Sequence, residues 1–244
     1  MNSLVLFLLT VVAFGSCLKL PSSFKKCDRK TTDFNQCLSE AIYGALRILD
    51  KPLPSHGLPS LYGVEFPDVF TMGNSTYGLL QKFYQTRYIG LSKPENINAK
   101  LDFGPLTITL TIEATYSQLT VETEFEAQGT IVLLPVNVIT PVVYTLVNPT
   151  YTFTFVLEEY EKGTTYFRVI DSKIDAQTQG LKFDYKGLFS NKVLNEEFNN
   201  AMDEKWRQIW ILFKSFDEVL FAPLFGTIFN DFLKKVPAAE LVDG

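Results

Sequence analysis

The chain has 244 residues, 46% of them hydrophobic and 14% aromatic, with 22 Lys and Arg against 27 Asp and Glu and a formal net charge of −5. A mildly acidic chain without basic clusters does not fit nucleic-acid binding, and it has no electrostatic attraction to anionic membranes. The length suits one large domain or two small ones, and without a low-complexity linker or charge run the sequence reads as one.

Residues 4–14 form an apolar run of signal-peptide length, followed by the small residues Gly15, Ser16 and Cys17. A secretory signal over 1–17 is expected, leaving 18–244 as a single mature domain. A retained anchor is the alternative, but the run falls short of the roughly twenty residues a span needs. Removal of Cys17 leaves Cys27 and Cys37 in an oxidising compartment, where a disulfide is expected. Metal binding is the other reading, although two cysteines and the lone His56 make a poor zinc site.

Asp33 and Gln36 have capping-box spacing, and Leu38, Ala41, Ile42, Ala45, Leu46 and Leu49 then recur at helical intervals. This predicts a short N-terminal amphipathic helix of about fifteen residues, closed by Pro52 and Pro54. Asn74-Ser75-Thr76 is a glycosylation sequon, which predicts a surface position.

From about residue 58 to 189 the period changes to two. Leu106, Ile108, Leu110, Ile112, Ala114 and Tyr116 alternate with threonines and Glu113. Leu119, Val121, Phe125 and Ala127 do the same, as do Tyr151, Phe153, Phe155 and Leu157, then Leu181, Phe183 and Tyr185. These are half-buried antiparallel strands, with hairpins expected near Gln118, Gly129 and Gly163.

Residues 190–236 read as helix, with Ser190 or Asn191 as N-cap, Glu196 and Glu197 in the early turns, a stop at Lys234, Lys235 and Pro237, and a kink or division at Pro223. From Trp206 to Phe232 the apolar residues fall on nearly every side, which predicts burial all round. A membrane span is the rival reading, but Arg207, Lys214, Asp217 and Glu218 interrupt the run. The expected fold is α+β: a long C-terminal helix wrapped by a strongly curved antiparallel sheet, with the N-terminal helix at one end or flank.

The motifs of catalysis are missing. There is no Gly-x-Ser-x-Gly elbow and no phosphate-binding glycine loop, and His56 lies in a Pro-Ser-His-Gly-Leu-Pro turn that reads as an exposed loop. Asp171 and Asp175 read as solvated charges. The 21 Phe, 11 Tyr and 2 Trp are the conspicuous feature. Stiff rings around a long helix leave apolar gaps, and tyrosines among them can supply orienting hydroxyls. A carrier for an elongated apolar molecule is the expected function, with no catalytic residue, metal or cofactor. Leu46, Phe70, Phe83, Leu110, Phe125, Tyr144, Phe153, Phe155, Trp206, Trp210 and Phe213 are the expected lining.

Leu20-Pro21-Ser22-Ser23-Phe24-Lys25-Lys26-Cys27 and, nine residues later, Cys37-Leu38-Ser39-Glu40-Ala41-Ile42 resemble the opening of the takeout / juvenile-hormone-binding family of insects. Gly129 through Pro135 resembles its Gly-x-x-x-x-x-Pro strand, Tyr160-Glu161-Lys162-Gly163 its late hairpin, Gly187-Leu188-Phe189 its Asn-Leu-Phe strand end, and Ala201-Met202-Asp203-Glu204-Lys205-Trp206 its helix signature. The resemblance spans the mature chain and implies the tubular lipid-binding fold, with an internal hydrophobic tunnel. It also implies a secreted, non-enzymatic carrier in haemolymph or sensory fluid, binding a terpenoid such as juvenile hormone, a fatty acid or ester, or a quinone-like lipid. Roles in chemosensation, feeding or daily rhythm go with it. The chain has cysteines for one disulfide where the haemolymph carriers usually have two, which points to the takeout branch. Val136-Asn137-Val138-Ile139 replaces the family's Gly-x-Gly. A monomer is expected, without stable membrane insertion. The alternative is a secreted interaction scaffold of the same fold; an esterase acting through His56 is a third reading.

Overall fold

The structure, a computed structural model, describes residues 18–66, 70–74, 78–131 and 133–243, and at 70, 74, 216 and 217 the backbone alone. The expected signal segment and Ser75 and Thr76 of the sequon lie outside the described residues; Asn74 ends a strand.

A short strand β1 (Cys27–Asp28) leads into helix α1 (Phe34–Ile48). Cys27 and Cys37 form a disulfide, with an S–S distance of 2.06 Å and Cα atoms 5.9 Å apart. The two thiols are therefore not metal ligands. Helix α1 has the expected length, but the capping box does not form. Asp33 has φ −101° and ψ 18° and makes no side-chain cap bond. That backbone is not the extended one from which an N-cap side chain reaches the first turn. Gln36 instead donates to Glu40 at 3.2 Å.

Ten strands follow: β2 (Gly63–Phe66), β3 (Phe70–Asn74), β4 (Leu79–Ile89), β5 (Asn96–Phe103), β6 (Ile108–Thr115), β7 (Gln118–Ile131), β8 (Leu134–Val147), β9 (Thr150–Glu161), β10 (Thr165–Gln177) and β11 (Gly180–Tyr185). They form a six-stranded sheet in the order β11-β8-β7-β4-β2, with β3 also on β4, and a four-stranded sheet in the order β10-β9-β6-β5. All these pairings are antiparallel. The expected hairpins near Gly129 and Gly163 are β7–β8 and β9–β10. The connection before Gln118 is not a hairpin, because β6 and β7 belong to different sheets. There the chain crosses a corner, beside the β8-to-β9 crossing. The two crossings bond to each other, Tyr116 N–H to the Pro149 carbonyl at 3.0 Å and Asn148 N–H to the Ser117 carbonyl at 2.9 Å. The chain thus passes between the two sheets twice at this corner, at two crossings bonded side by side.

Alternation decides which side is in. Leu119, Val121, Phe125 and Ala127 are at most 4% exposed, as are Leu157, Leu181 and Tyr185. Gly129 has φ +134°, and a Cβ there would lie 1.9 Å from the Gly78 carbonyl, so the close approach of β7 to the start of β4 requires glycine.

The C-terminal helical region is divided, though not at Pro223. Helix α2 (Lys192–Glu204) is capped by Asn191, whose side chain accepts from Leu194 N–H, and acidic residues are absent from its first turn. Glu196 and Glu197 fall one turn later. Lys205 separates α2 from α3 (Trp206–Leu233), which runs unbroken through Pro223. Val219 and Pro223 are both exposed, so the carbonyl left without its helical partner lies on the solvent side. No basic residue falls in the last turn of α3, because Lys234 is already its C-cap. Nor is α3 buried all round: Ile211, Leu212 and Val219 are 69%, 54% and 69% exposed. No helix among the described residues is long and apolar enough to cross a membrane.

Helices cover three sheet edges with polar side chains that take the place of a further strand. On β5, Ser39 of α1 accepts from Ala99 N–H at 2.8 Å. On β11, Asp203 and Asn199 of α2 accept from Phe183 and Tyr185 N–H at 2.7 and 3.0 Å. On β10, Asn230 of α3 bonds to the backbone of Val169. The chain ends with α4 (Ala238–Leu241) and β12 (Val242–Asp243), which pairs in parallel with β1.

Candidate functional site

Between α1, the four-stranded sheet and the C-terminal half of α3 lies a partly open apolar cavity of about 270 Å³. It lies just below the range of about 300–1,000 Å³ usual for small-molecule sites. Helix α1 contributes Leu38, Ala41, Ile42, Ala45 and Leu46; the sheet contributes Leu101, Leu110, Ile112, Phe155, Leu157 and Phe167; α3 contributes Phe225, Ile228, Phe229, Phe232 and Leu233. The remaining wall comes from Leu49, Leu58 and Leu61 after α1 and from the two ends of the described chain, Leu20, Phe24 and Cys27 at one and Leu241 and Val242 at the other. Those ends are held together by the β1–β12 ladder and by Leu20 N–H donating to Glu240 Oε2 at 3.3 Å. Lys25 is the one charged residue in the lining, and its ammonium pairs with Glu40 at 2.6 Å.

Of the residues expected to line a tunnel, Leu46, Leu110 and Phe155 border this cavity. Phe153 lies next to it, stacked on Phe155 and edge-on to Phe225 at 5.2 Å. Phe83, Phe125, Tyr144 and Phe213 gather instead in a second place, on the six-stranded sheet. Phe83 lies 5.1 Å from Phe125 and 5.9 Å from Phe213, and Tyr144 lies 5.3 Å from Phe213, centroid to centroid. Trp210 is buried, while Trp206 is half-buried with the Arg207 guanidinium 4.7 Å from its ring. Phe70 faces Phe83 in register, and its side chain lies outside the described residues. Between them on α3, the Phe221 and Phe225 rings lie 5.5 Å apart, Phe221 against Tyr88 and Phe225 against Phe153.

Sequence reasoning missed Phe24, Leu241 and Val242, because nothing local shows that the chain ends meet. Phe225 and Phe229 fall within the apolar helix run expected from Trp206 to Phe232, but are not among the expected lining.

Polar groups are few in this interior. The Tyr116 hydroxyl donates to the Leu91 carbonyl at 3.2 Å. The Tyr144 hydroxyl makes no hydrogen bond. Burial raises the pKa of Tyr116, Tyr144 and Tyr185 far above the ordinary tyrosine value, so all three stay protonated and neutral. His56 is not an exposed loop residue. It is half-buried, with Nε2 3.0 Å from the Lys19 carbonyl and Nδ1 2.9 Å from Ser55 Oγ, and so ties the N-terminal segment to the turn at Pro54–His56.

The crystal structure of Epiphyas postvittana Takeout 1 superposes with a TM-score of 0.73, covering 90% of this chain and 100% of that one at 22% identity, which establishes a shared fold. A crystal structure of lipopolysaccharide binding protein aligns over 76% of this chain and 36% of that one, at 12% identity and a TM-score of 0.37, too low to bear on the fold. No curated protein sequence matches significantly. A family model described as haemolymph juvenile hormone binding protein (JHBP) matches residues 4–243, and the chain belongs to that family.

Proposed function

We propose that the protein is a secreted, monomeric carrier for an elongated small hydrophobic molecule: a juvenile-hormone-like terpenoid, a fatty acid or ester, or a quinone-like lipid. The observation that supports this reading is the apolar cavity between α1, the four-stranded sheet and α3, whose lining is almost entirely Leu, Ile, Phe and Ala. Membership of a family described as binding juvenile hormone supports the same ligand class. The remaining aromatic residues of the expected lining, from Phe83 to Trp210, would extend the site along α3 into a tunnel.

The driving force is burial of apolar surface. About 0.8 kcal/mol per methylene lets a chain of about ten carbons exceed the cost of ordering it. The apolar run of residues 4–14 and the Cys27–Cys37 disulfide support export, and Asn74 is the proposed glycan site. The test is to incubate delipidated protein with a panel of long-chain alcohols, acids, esters, terpenoids and quinones, re-purify it, and extract for mass spectrometry. Stoichiometric recovery of one class is expected. Recovery of no apolar molecule from any condition would overturn the reading.

A further inference from the structure

The β7–β8 hairpin ends in apolar side chains turned to solvent. Leu133 is 92% exposed and Leu134 38%, and Pro135 beside them is exposed as well. Leu133 also has φ +68°, a left-handed backbone disfavoured for so bulky a residue. Hairpin turns fill such positions with Gly, Asn or Asp, which would serve both stability and solubility here. The base beneath the tip is firm. Ile131 and Val136 are buried, the ladder runs up to Ile131 opposite Leu134, and Thr130 N–H donates to the Gly78 carbonyl at 2.6 Å. The hairpin itself is neutral, since residues 127–157 contain no charged side chain. The nearest charge along it, Glu126, faces Ile139 across the ladder and is paired with Lys82 at 3.2 Å.

We propose that this tip is a docking site for a zwitterionic lipid surface, entered transiently by Leu133, Leu134 and Pro135. A protruding tip offers a protein partner no pocket to fill, whereas a fluid interface needs only apolar side chains that bring no charge out of water with them. The net charge of −5 gives no attraction to anionic lipid, so the neutral tip is matched to headgroups without net charge. Two leucines and a proline support a brief collision rather than a stable anchor. The fold also fixes which end of the molecule makes the contact. Tyr88 of β4 packs edge-on against Phe221, and Phe83 against Phe213. Followed on toward Leu79, which faces Gly129, β4 therefore runs with α3 toward the N-terminus of that helix. The exposed Ile211 and Leu212 fall on the same half of α3. Docking goes beyond the carrier reading and does not depend on it; together they set the Phe83–Phe213 end of the interior, not the cavity end, nearest the lipid.

The experiment attaches an environment-sensitive nitrobenzoxadiazole label to Leu133→Cys and, as a control, to Leu106→Cys, a leucine 90% exposed between β5 and β6 of the other sheet. On phosphatidylcholine vesicles the label at 133 should brighten several-fold, shift to the blue and be quenched by nitroxide-bearing lipid, while the label at 106 stays unchanged. Adding phosphatidylserine should not strengthen the response. Leu133→Asn suits the left-handed backbone, so it should melt at or above the wild-type temperature. It should nonetheless bind the vesicles about tenfold less tightly in flotation, the effect of withdrawing one leucine side chain from an apolar phase. Silence at 133, equal responses at 133 and 106, a response that requires phosphatidylserine, or undiminished binding by Leu133→Asn would each overturn the proposal. So would self-association of the wild type that Leu133→Asn abolishes without any vesicle response, which would make the tip a contact between two copies of the chain. None of these readouts depends on a bound ligand, so a failure of the carrier reading would leave them standing.

Discussion

Asn230, one turn before the end of α3, binds the backbone of Val169 on β10 twice: its Oδ1 accepts from Val169 N–H at 2.7 Å, and its Nδ2 donates to the Val169 carbonyl at 3.1 Å. The amide completes the edge of the four-stranded sheet as a paired strand would, at the point where β10 bulges between Val169 and Asp171. It also fixes the part of α3 that carries Phe225 and Phe229 against the cavity. Asn230→Ala would leave both part-buried backbone groups unsatisfied and should destabilise the protein by about 1–3 kcal/mol. Asn230→Asp keeps the acceptor and loses the donor, so it should fall between. Urea unfolding gives the check: a lowered midpoint at unchanged slope is expected, and a midpoint within error of wild type for Asn230→Ala would show that the pair contributes nothing.

The cavity makes a second prediction through Ala45, which lines it from α1. Ala45→Phe would place a ring in the void and remove volume a ligand chain needs. Affinity for a fluorescent long-chain fatty acid should fall steeply. The ligand-free protein should keep its melting temperature, since a ring that fills a void gains dispersion contacts. Lowered stability together with unchanged affinity would place the binding site elsewhere.

Much of this architecture was legible in the sequence, and what was not has common causes. The alternations at Leu119, Val121, Phe125 and Ala127 and at Tyr151, Phe153, Phe155 and Leu157 predict buried strand faces, and they are buried. Leu106 continues the same pattern on paper, yet it is 90% exposed, because β6 starts at Ile108 after the Gly104–Pro105 turn. The corner at Ser117 was read as a hairpin, since a short polar connection looks alike whether the next strand stays in the sheet or leaves it. Asn230, Asn199 and Asp203 resemble ordinary polar helix residues until the strand edges they serve are in place. The aromatic content announced an apolar interior, but whether a ring borders the cavity, as Phe155 does, or packs in the cluster, as Phe125 does, depends on where α1 and the chain ends settle.

Asp175 supplies a pH-dependent contact between β10 and α3. Its Oδ1 accepts from the Lys214 ammonium at 2.6 Å and its Oδ2 from Gln177 at 3.0 Å. Those bonds, that from Lys214 first, hold its carboxyl below the ordinary aspartate pKa. A depressed folded-state pKa stabilises the protein above the unfolded value, and that stabilisation is lost as pH falls through the folded one. The pair is partly exposed to solvent, so the effect is small. Asp175→Asn should lower the melting temperature slightly at about pH 7 and not at all at about pH 2, below the aspartate range. A difference that persists unchanged into acid would mean that the side chain acts by shape rather than charge.

Gly226 shows why α3 tolerates a glycine. A Cβ there would lie 2.9 Å from Ser172 Oγ, and that hydroxyl is already committed to the Ala222 carbonyl at 2.8 Å. Gly226→Ala gains about 1 kcal/mol of helix propensity but forces Ser172 out of its bond. Alone it should be neutral or destabilising; with Ser172→Ala it should recover most of that gain. A double-mutant cycle reads the difference directly, and additive effects would show that the two residues do not meet.

The chain ends also act as a cover. Leu241 and Val242 line the cavity, and the β1–β12 ladder holds them down together with the Lys26–Asp243 ion pair at 2.5 Å and Arg29 N–H donating to the Asp243 carbonyl at 3.0 Å. The Cys27–Cys37 disulfide fixes the strand to which the tail is bound. These contacts are few and near the surface, so they should open more readily than the sheet. Deleting residues 240–244 should therefore speed release of a pre-bound fluorescent fatty acid several-fold more than it lowers the melting temperature would suggest, because it removes part of the wall while leaving α1, the sheet and α3 in place. Stopped-flow transfer of the probe to excess vesicles measures the rate. An unchanged release rate would mean that the ligand leaves by another route, along α3 past Phe213.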